Sequence, residues 1–246
     1  MLSDSQDFTE ENYSYLLRLA AERYRFVQYH DFLSAEVPAV VWRHDVDFSV
    51  HRSLSLAKIE KESGISSTFF FQLGSAFYNV FEPSVTERIK RILELEHHVG
   101  LHFDPTIYSI SERRDLERFL LYEREILEGL LGIKIEVFSF HNPTPEILEN
   151  DDYTIAGMIN TYAREFREHA GYCSDSNGYW RHERLEDVLK SGIHHKLQVL
   201  THPAWWQREV MPPRQRIQRC IEGRKRATER FYDEMLAHYG RENVGK

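Results

Sequence analysis

The chain is poor in cysteine: Cys173 and Cys220 are its only two, far apart in 246 residues. That excludes a disulfide framework and any Cys-x-x-Cys metal or redox spacing. It also lacks a long apolar run, so nothing in it is expected to span a bilayer. No basic segment followed by an apolar stretch opens the sequence, which begins MLSDSQDFTEENYSY; the expectation is a soluble, cytoplasmic protein. Positive charge is the minority sign, with 31 Lys and Arg against 39 Asp and Glu, a net charge of −8 and a pI near 5.9. An acidic surface argues against nucleic acid or an anionic membrane as the main partner, although it leaves room for a local basic pocket. Repeats, low-complexity tracts and clear linkers are missing too, which points to a single domain over residues 1–246.

What is present is an alternation of amphipathic helices and apolar strands. Thr9 caps a helix over 9–26 whose apolar face is Tyr13, Leu16, Leu17, Ala20 and Tyr24. A short buried strand at 39–42 leads through Arg43-His44-Asp45-Val46-Asp47 into a helix over 50–63, stopped by Gly64. Strands follow at 67–72, 98–103, 135–140 and 196–201, with weaker ones at 157–161 and 171–174. Ser84 and Glu87 read as a capping box opening a helix to about residue 96. Further helices fall at 111–131, 184–190 and 213–239. No hairpin signal interrupts the series, so a parallel sheet with crossover helices is expected. Such an α/β chain is either a (β/α) barrel, which suits its length, or a doubly wound sheet; no Gly-rich phosphate loop follows the first strand, which weakens the second.

The chemistry gathers at the C-terminal ends of the strands. Asp45 and Asp47 follow the first, His102 and Asp104 end the third, His141 and Asn142 the fourth, Asp175 a later one and His202 the last. In βα barrels these ends converge on one site. Two residues apart on a strand, Asp45 and Asp47 share a face at about 6.6 Å, and their charges need a shared cation or proton. A divalent metal answers this, although Asp47 as a cap for the helix at 50 is the simpler reading of the pair alone. His98 and His102 are about 13 Å apart on a strand, too far to share one ion. A histidine such as His202 is a natural general acid for a leaving amine. Trp180 and Trp205 suit the apolar faces of a sugar ring and equally well the packing of a barrel rim; Asn142 is a further candidate for the substrate side of the pocket.

Taken in order, five segments resemble the polysaccharide deacetylases of the NodB-homology superfamily (carbohydrate esterase family 4), in a divergent branch with an Arg-His-Asp-Val-Asp first motif. They are Trp42 to Asp47, His98 to His102, Ser139 to Pro143, Tyr172 to Trp180 and Leu200 to Pro203. The motif-bearing core covers about residues 37–206. The resemblance implies a distorted (β/α) barrel, seven-stranded, with a long C-terminal helix. It implies Asp45 as general base, Asp47 and His102 as metal ligands, His202 as general acid, Asp175 as its support and Trp180 as a substrate-facing aromatic. Two positions depart from the family pattern. The usual second metal histidine is replaced by Thr106, and His141 stands where the family commonly has arginine. His141 is therefore the first choice for the third ligand, ahead of Asp104 and His98.

The expected function is hydrolysis of an N-acyl group, acetyl above all, from a sugar or glycan precursor, with zinc as the metal. The alternatives are a metal-dependent amidohydrolase acting on a non-sugar substrate and a catalytically inactive carbohydrate-binding relative, which Thr106 favours.

Overall fold

The computed structural model describes residues 4–180 and 182–245. Among these residues nine strands form one sheet: β1 (Arg25–Phe26), β2 (Ala39–Val46), β3 (Thr68–Phe71), β4 (His98–Phe103), β5 (Val137–Phe140), β6 (Thr154–Ile155), β7 (Met158–Asn160), β8 (Gly171–Ser174) and β9 (Lys196–Thr201). Their order is β6-β7-β5-β4-β3-β2-β9-β8, with β1 beside β2. From β7 across to β8 every neighbouring pair is parallel, and β1 also pairs parallel with β2; only β6 is antiparallel to its neighbour. Around them lie α1 (Glu10–Ala21), α2 (Tyr29–Phe32), α3 (Val50–Glu62), α4 (Pro83–Glu94), α5 (Arg113–Leu131), α6 (Pro145–Leu148), α7 (Arg164–His169), α8 (Leu185–Ser191) and α9 (Pro213–His238).

The sheet is strongly curled. In a flat sheet β5 and β2, three spacings apart, would be separated by about 14 Å. Instead Ser139 Oγ donates to Asp45 Oδ1 at 3.3 Å. Gln198 on β9 donates to the carbonyl of Thr161, just past β7, at 3.5 Å. Those strands are five spacings apart, about 24 Å if flat. Side chains therefore bridge the seam between the two edges of an open barrel.

Alternation along the strands sorts the side chains. Val41, Phe70 and Val137 from three different strands pack together with Tyr29 and Phe32 of α2 and Phe166 of α7, so this cluster fills the lumen. Gly100 sits in the same column as His102, and a Cβ there would stand 2.5 Å from the Phe70 ring. The glycine leaves space for that ring. The opposite faces of β2, β8 and β9 pack on α1 and α8, and those of β3, β4 and β5 on α4 and α5.

Four local expectations are corrected. β2 runs on to Val46, with Arg43, His44 and Asp45 buried inside it. A charged run fits a central strand here because each of these side chains finds a charged or polar partner: Arg43 meets Asp45, and His44 meets Glu60. Ser49, not Asp47, caps α3, its hydroxyl accepting from the Arg52 amide. Ser84 is not a cap either: α4 starts at Pro83, whose fixed φ suits a first helical position, and Ser84 Oγ donates to Glu82. Finally, β6 and β7 form an antiparallel hairpin through Ala156 and Gly157, both at positive φ. Its two-residue turn lacks the usual Asn-Gly signature.

Candidate metal centre

Curling brings the C-terminal ends of β2, β4, β5, β8 and β9 to one end of the barrel. Interior phase then decides which residues face each other: Arg43, Asp45 and Asp47 on and after β2, His102 on β4, Ser139 and His141 on and after β5. Asp47, His102 and His141 converge on a triangle. Asp47 Oδ1 lies 3.1 Å from His102 Nε2 and 3.4 Å from His141 Nδ1, and the two ring nitrogens are 3.3 Å apart. Four tetrahedral ligands at about 2.0–2.1 Å from zinc would be roughly 3.3–3.4 Å from one another. One carboxylate oxygen and two imidazole nitrogens at these separations fit such an ion, with a position left over for water or substrate.

The surrounding bonds make the cluster demand a cation. Ser139 spends its only hydrogen on Asp45, so its Oγ must accept from His102 Nδ1, 2.7 Å away. That fixes the tautomer, and the bare Nε2 lone pair then faces the Asp47 carboxylate. Two acceptors at 3.1 Å repel unless a proton or metal ion lies between them. Gln72 Nε2 also donates to Asp47 Oδ1, at 3.3 Å. Burial would raise the Asp47 pKa, but with a proton rather than an ion between the groups, hydrogen bonds from His102 and His141 and the charge of His202 hold the carboxyl far below the usual range. His141 Nε2 meets the Asn142 amide at 2.9 Å. With an ion on Nδ1, that amide would turn so that its oxygen could accept the Nε2 hydrogen.

The other two histidine candidates divide sharply. His202 Nδ1 lies 2.6 Å from Asp175 Oδ1, and its Nε2 points into the site, 3.9 Å from Asp47 Oδ2. Burial would lower the His202 pKa; the Asp175 carboxylate overrides this, Asp47 and Asp45 add to it, and the imidazole is pushed up to about 9. Asp175 is itself fully buried, and it also accepts from the His202 amide and from Trp206 Nε1. His98 is at the far end of β4 and exposed, outside the cluster.

Asp104 is not in the triangle; its Oδ1 accepts from the Thr106 amide and hydroxyl in a tight turn. Thr106, at the position of the usual second histidine, is exposed and turned to that same carboxylate. Trp180 stacks on Phe8 and donates its indole N–H to Asp7, while Trp205 is only 5 % exposed and packs against Phe48. Both rings are engaged in packing contacts.

Sequence reasoning missed the roles of Arg43, Gln72, Ser139 and Tyr162. Arg43 Nη2 reaches Asp45 Oδ2 at 3.2 Å and Tyr162 OH at 3.5 Å. A signal existed for three of them: Arg43 shares the period-two phase of Asp45, Ser139 that of His141 and Gln72 that of Phe70.

No protein-family model matches the chain, and no curated protein matches it. Solved structures do. One is a mutant of BA3943, described as a CE4 family pseudoenzyme with restored enzymatic activity, at 13% identity over 78% of this chain, TM-score 0.43. This chain spans only 64% of that protein's length. Another is a family 4 acetyl xylan esterase from Clostridium thermocellum in complex with cobalt, at 14% identity, 75% of this chain and 84% of that one, TM-score 0.44. A third is the peptidoglycan N-acetylglucosamine deacetylase Bc1960, at 15% identity, 78% and 84%, TM-score 0.47. Many of the solved structures that this chain resembles are, at low identity, CE4 family deacetylases.

Proposed function

We propose that the chain is a metal-dependent hydrolase that removes an N-acyl group, acetyl above all, from a sugar or glycan precursor. The observation that carries this reading is the triangle of Asp47, His102 and His141, with its edges of 3.1–3.4 Å. A divalent ion held there, zinc by ligand type, supplies a Lewis acid that polarises the acyl carbonyl and eases deprotonation of water.

The chain's own residues do the rest. Asp45 takes the proton of the attacking water. Arg43 and Ser139 hold its carboxylate in place, each on one oxygen. Asp175 keeps the His202 ring oriented with Nε2 toward the site, and at neutral pH that nitrogen carries a proton. His202 donates it to the departing amine, which turns a poor leaving group into a good one.

A second reading, a binding protein without catalysis, draws on the buried ion pair: a carboxylate held by a guanidinium is a weaker base. Metal content by elemental mass spectrometry, together with acetate release from a panel of N-acetylated sugars and non-sugar amides, separates the readings. Stoichiometric zinc with acetate release from sugars supports the hydrolase. Release from non-sugar amides alone moves the substrate class, and bound zinc without any release favours the binding protein. A chain that holds no divalent ion sinks the metal mechanism.

A further inference from the structure

A cavity of about 720 Å³ lies outside the metal cluster, between α9, α3 and α4. Seven arginines and one carboxylate line it, in a chain whose net charge is −8. Glu10 pairs with Arg52 and Arg208, Glu82 with Arg224, and Glu209 with Arg219. Arg88, Arg226 and Arg230 meet no carboxylate among the described residues, and Arg88 only reaches back to the Ser84 carbonyl of its own helix. The positive field is felt nearby: after burial, the charges of Arg52, Arg88, Lys58 and Arg208 push the His51 pKa down.

The geometry points to a binding site for a small soluble molecule bearing a diphosphate group. Guanidinium forks match phosphate oxygens two at a time, and three uncommitted ones supply the charge a diphosphate needs. Phe48, Phe77 and Val85 give the remainder of such a molecule an apolar wall. Arg219, Gly223, Arg226 and Arg230 recur at helical spacing along one face of α9, and a side chain added at Gly223 would meet nothing within 4 Å. The glycine thus keeps the cavity open at a cost in helix propensity. A volume of this size suits a small organic ligand rather than a flat lipid surface. The inference is independent of how the metal cluster is read.

The test is calorimetric titration of inorganic pyrophosphate into the wild type, the double variant Arg226→Ala/Arg230→Ala and Gly223→Leu, at matched zinc content. The wild type should bind, and affinity should fall about tenfold for each guanidinium removed. Gly223→Leu should weaken binding by filling the cavity while keeping the thermal midpoint at or above that of the wild type. The idea is overturned by any of three results: no binding at millimolar pyrophosphate, binding undiminished in both variants, or sedimentation with phosphatidylglycerol vesicles without affinity for free pyrophosphate.

Discussion

Arg43 Nη2 and Asp45 Oδ2 meet at 3.2 Å within a single strand, both side chains closed off from solvent. The cation that the family resemblance leads one to expect at position 141 stands instead two residues before the carboxylate. Position 141 is thereby freed for an imidazole at the metal triangle. Asp45→Asn should retain zinc, since Asp45 is not part of that triangle, and should lower turnover by about a hundredfold or more, the ordinary contribution of a general base. Zinc content and initial rates on one preparation test this; loss of both together would mean that Asp45 holds the ion.

The metal triangle makes its own forecast. Asp47→Ala, His102→Ala and His141→Ala should each lose stoichiometric zinc, while Asp104→Ala and His98→Ala should keep it. Losing one ligand of three commonly weakens a site far more than losing a residue beside it. Elemental analysis after dialysis against a weak chelator reads the result. A His141→Ala protein that still held zinc as tightly as wild type would remove that residue from the ligand set.

His202 should titrate near 9 in the metal-free protein, and Asp175→Asn should bring it below that value. The folded-state pKa is raised above the ordinary 6.5, so the pair stabilises the fold fully below about 6.5 and loses that contribution as pH rises through about 9. Proton NMR of the imidazole, with thermal midpoints from pH 6 to 10, measures both. A His202 titration unmoved in Asp175→Asn would sink the proposed coupling.

Glu60 is an unannounced structural centre. It is fully buried on α3; Oε1 meets His44 Nε2 at 2.6 Å and the Tyr13 hydroxyl, and Oε2 accepts from Ser67 at 2.6 Å. Burial would raise its pKa, but the charge and hydrogen bond of His44 hold the carboxyl below its usual range. Glu60→Ala strands these partners and should cost about 3–5 kcal/mol, measured by urea unfolding. Its metal triangle should remain able to bind zinc in whatever fraction stays folded.

Glu123 on α5 behaves oppositely. It is 2 % exposed; burial pushes its pKa from 4.5 up to about 7, although Tyr108 donates a hydrogen bond to it. Ionisation is therefore easier in the unfolded chain. Stability should fall between about pH 4.5 and 7, by on the order of 3 kcal/mol, and level off above. Glu123→Gln should remove this slope in denaturant titrations at several pH values.

Legibility followed periodicity. The strands at 98–103 and 196–201 stand where the apolar runs lie, and α5 ends at Leu131 as expected, closed by Gly132 in a left-handed conformation. Asp47, His102 and His141 were visible because histidine and aspartate at strand ends are unusual. Partners drawn from common residue types were harder to read: Ser139 and Gln72 showed only the period-two phase of their strands, Glu60 carried no local mark, and their roles arise only once the sheet curls. The extension of β2 was hidden because its polar residues read as a strand end, whereas they are paired within the sheet or with α3. The hairpin of β6 and β7 went unseen because Ala156 takes a positive φ, a conformation that a residue with a Cβ seldom adopts.

β2 carries two chemistries on one thread. Arg43 and Asp45 face the barrel interior, while Trp42 and His44 face the helices, His44 bound to Glu60 and stacked on Phe69. A single codon gained or lost within this strand would exchange the two columns, sending the carboxylates into the outer core and an indole into the pocket. Few lesions of that kind could be rescued by changes elsewhere, so this segment should drift by substitution while its length stays frozen.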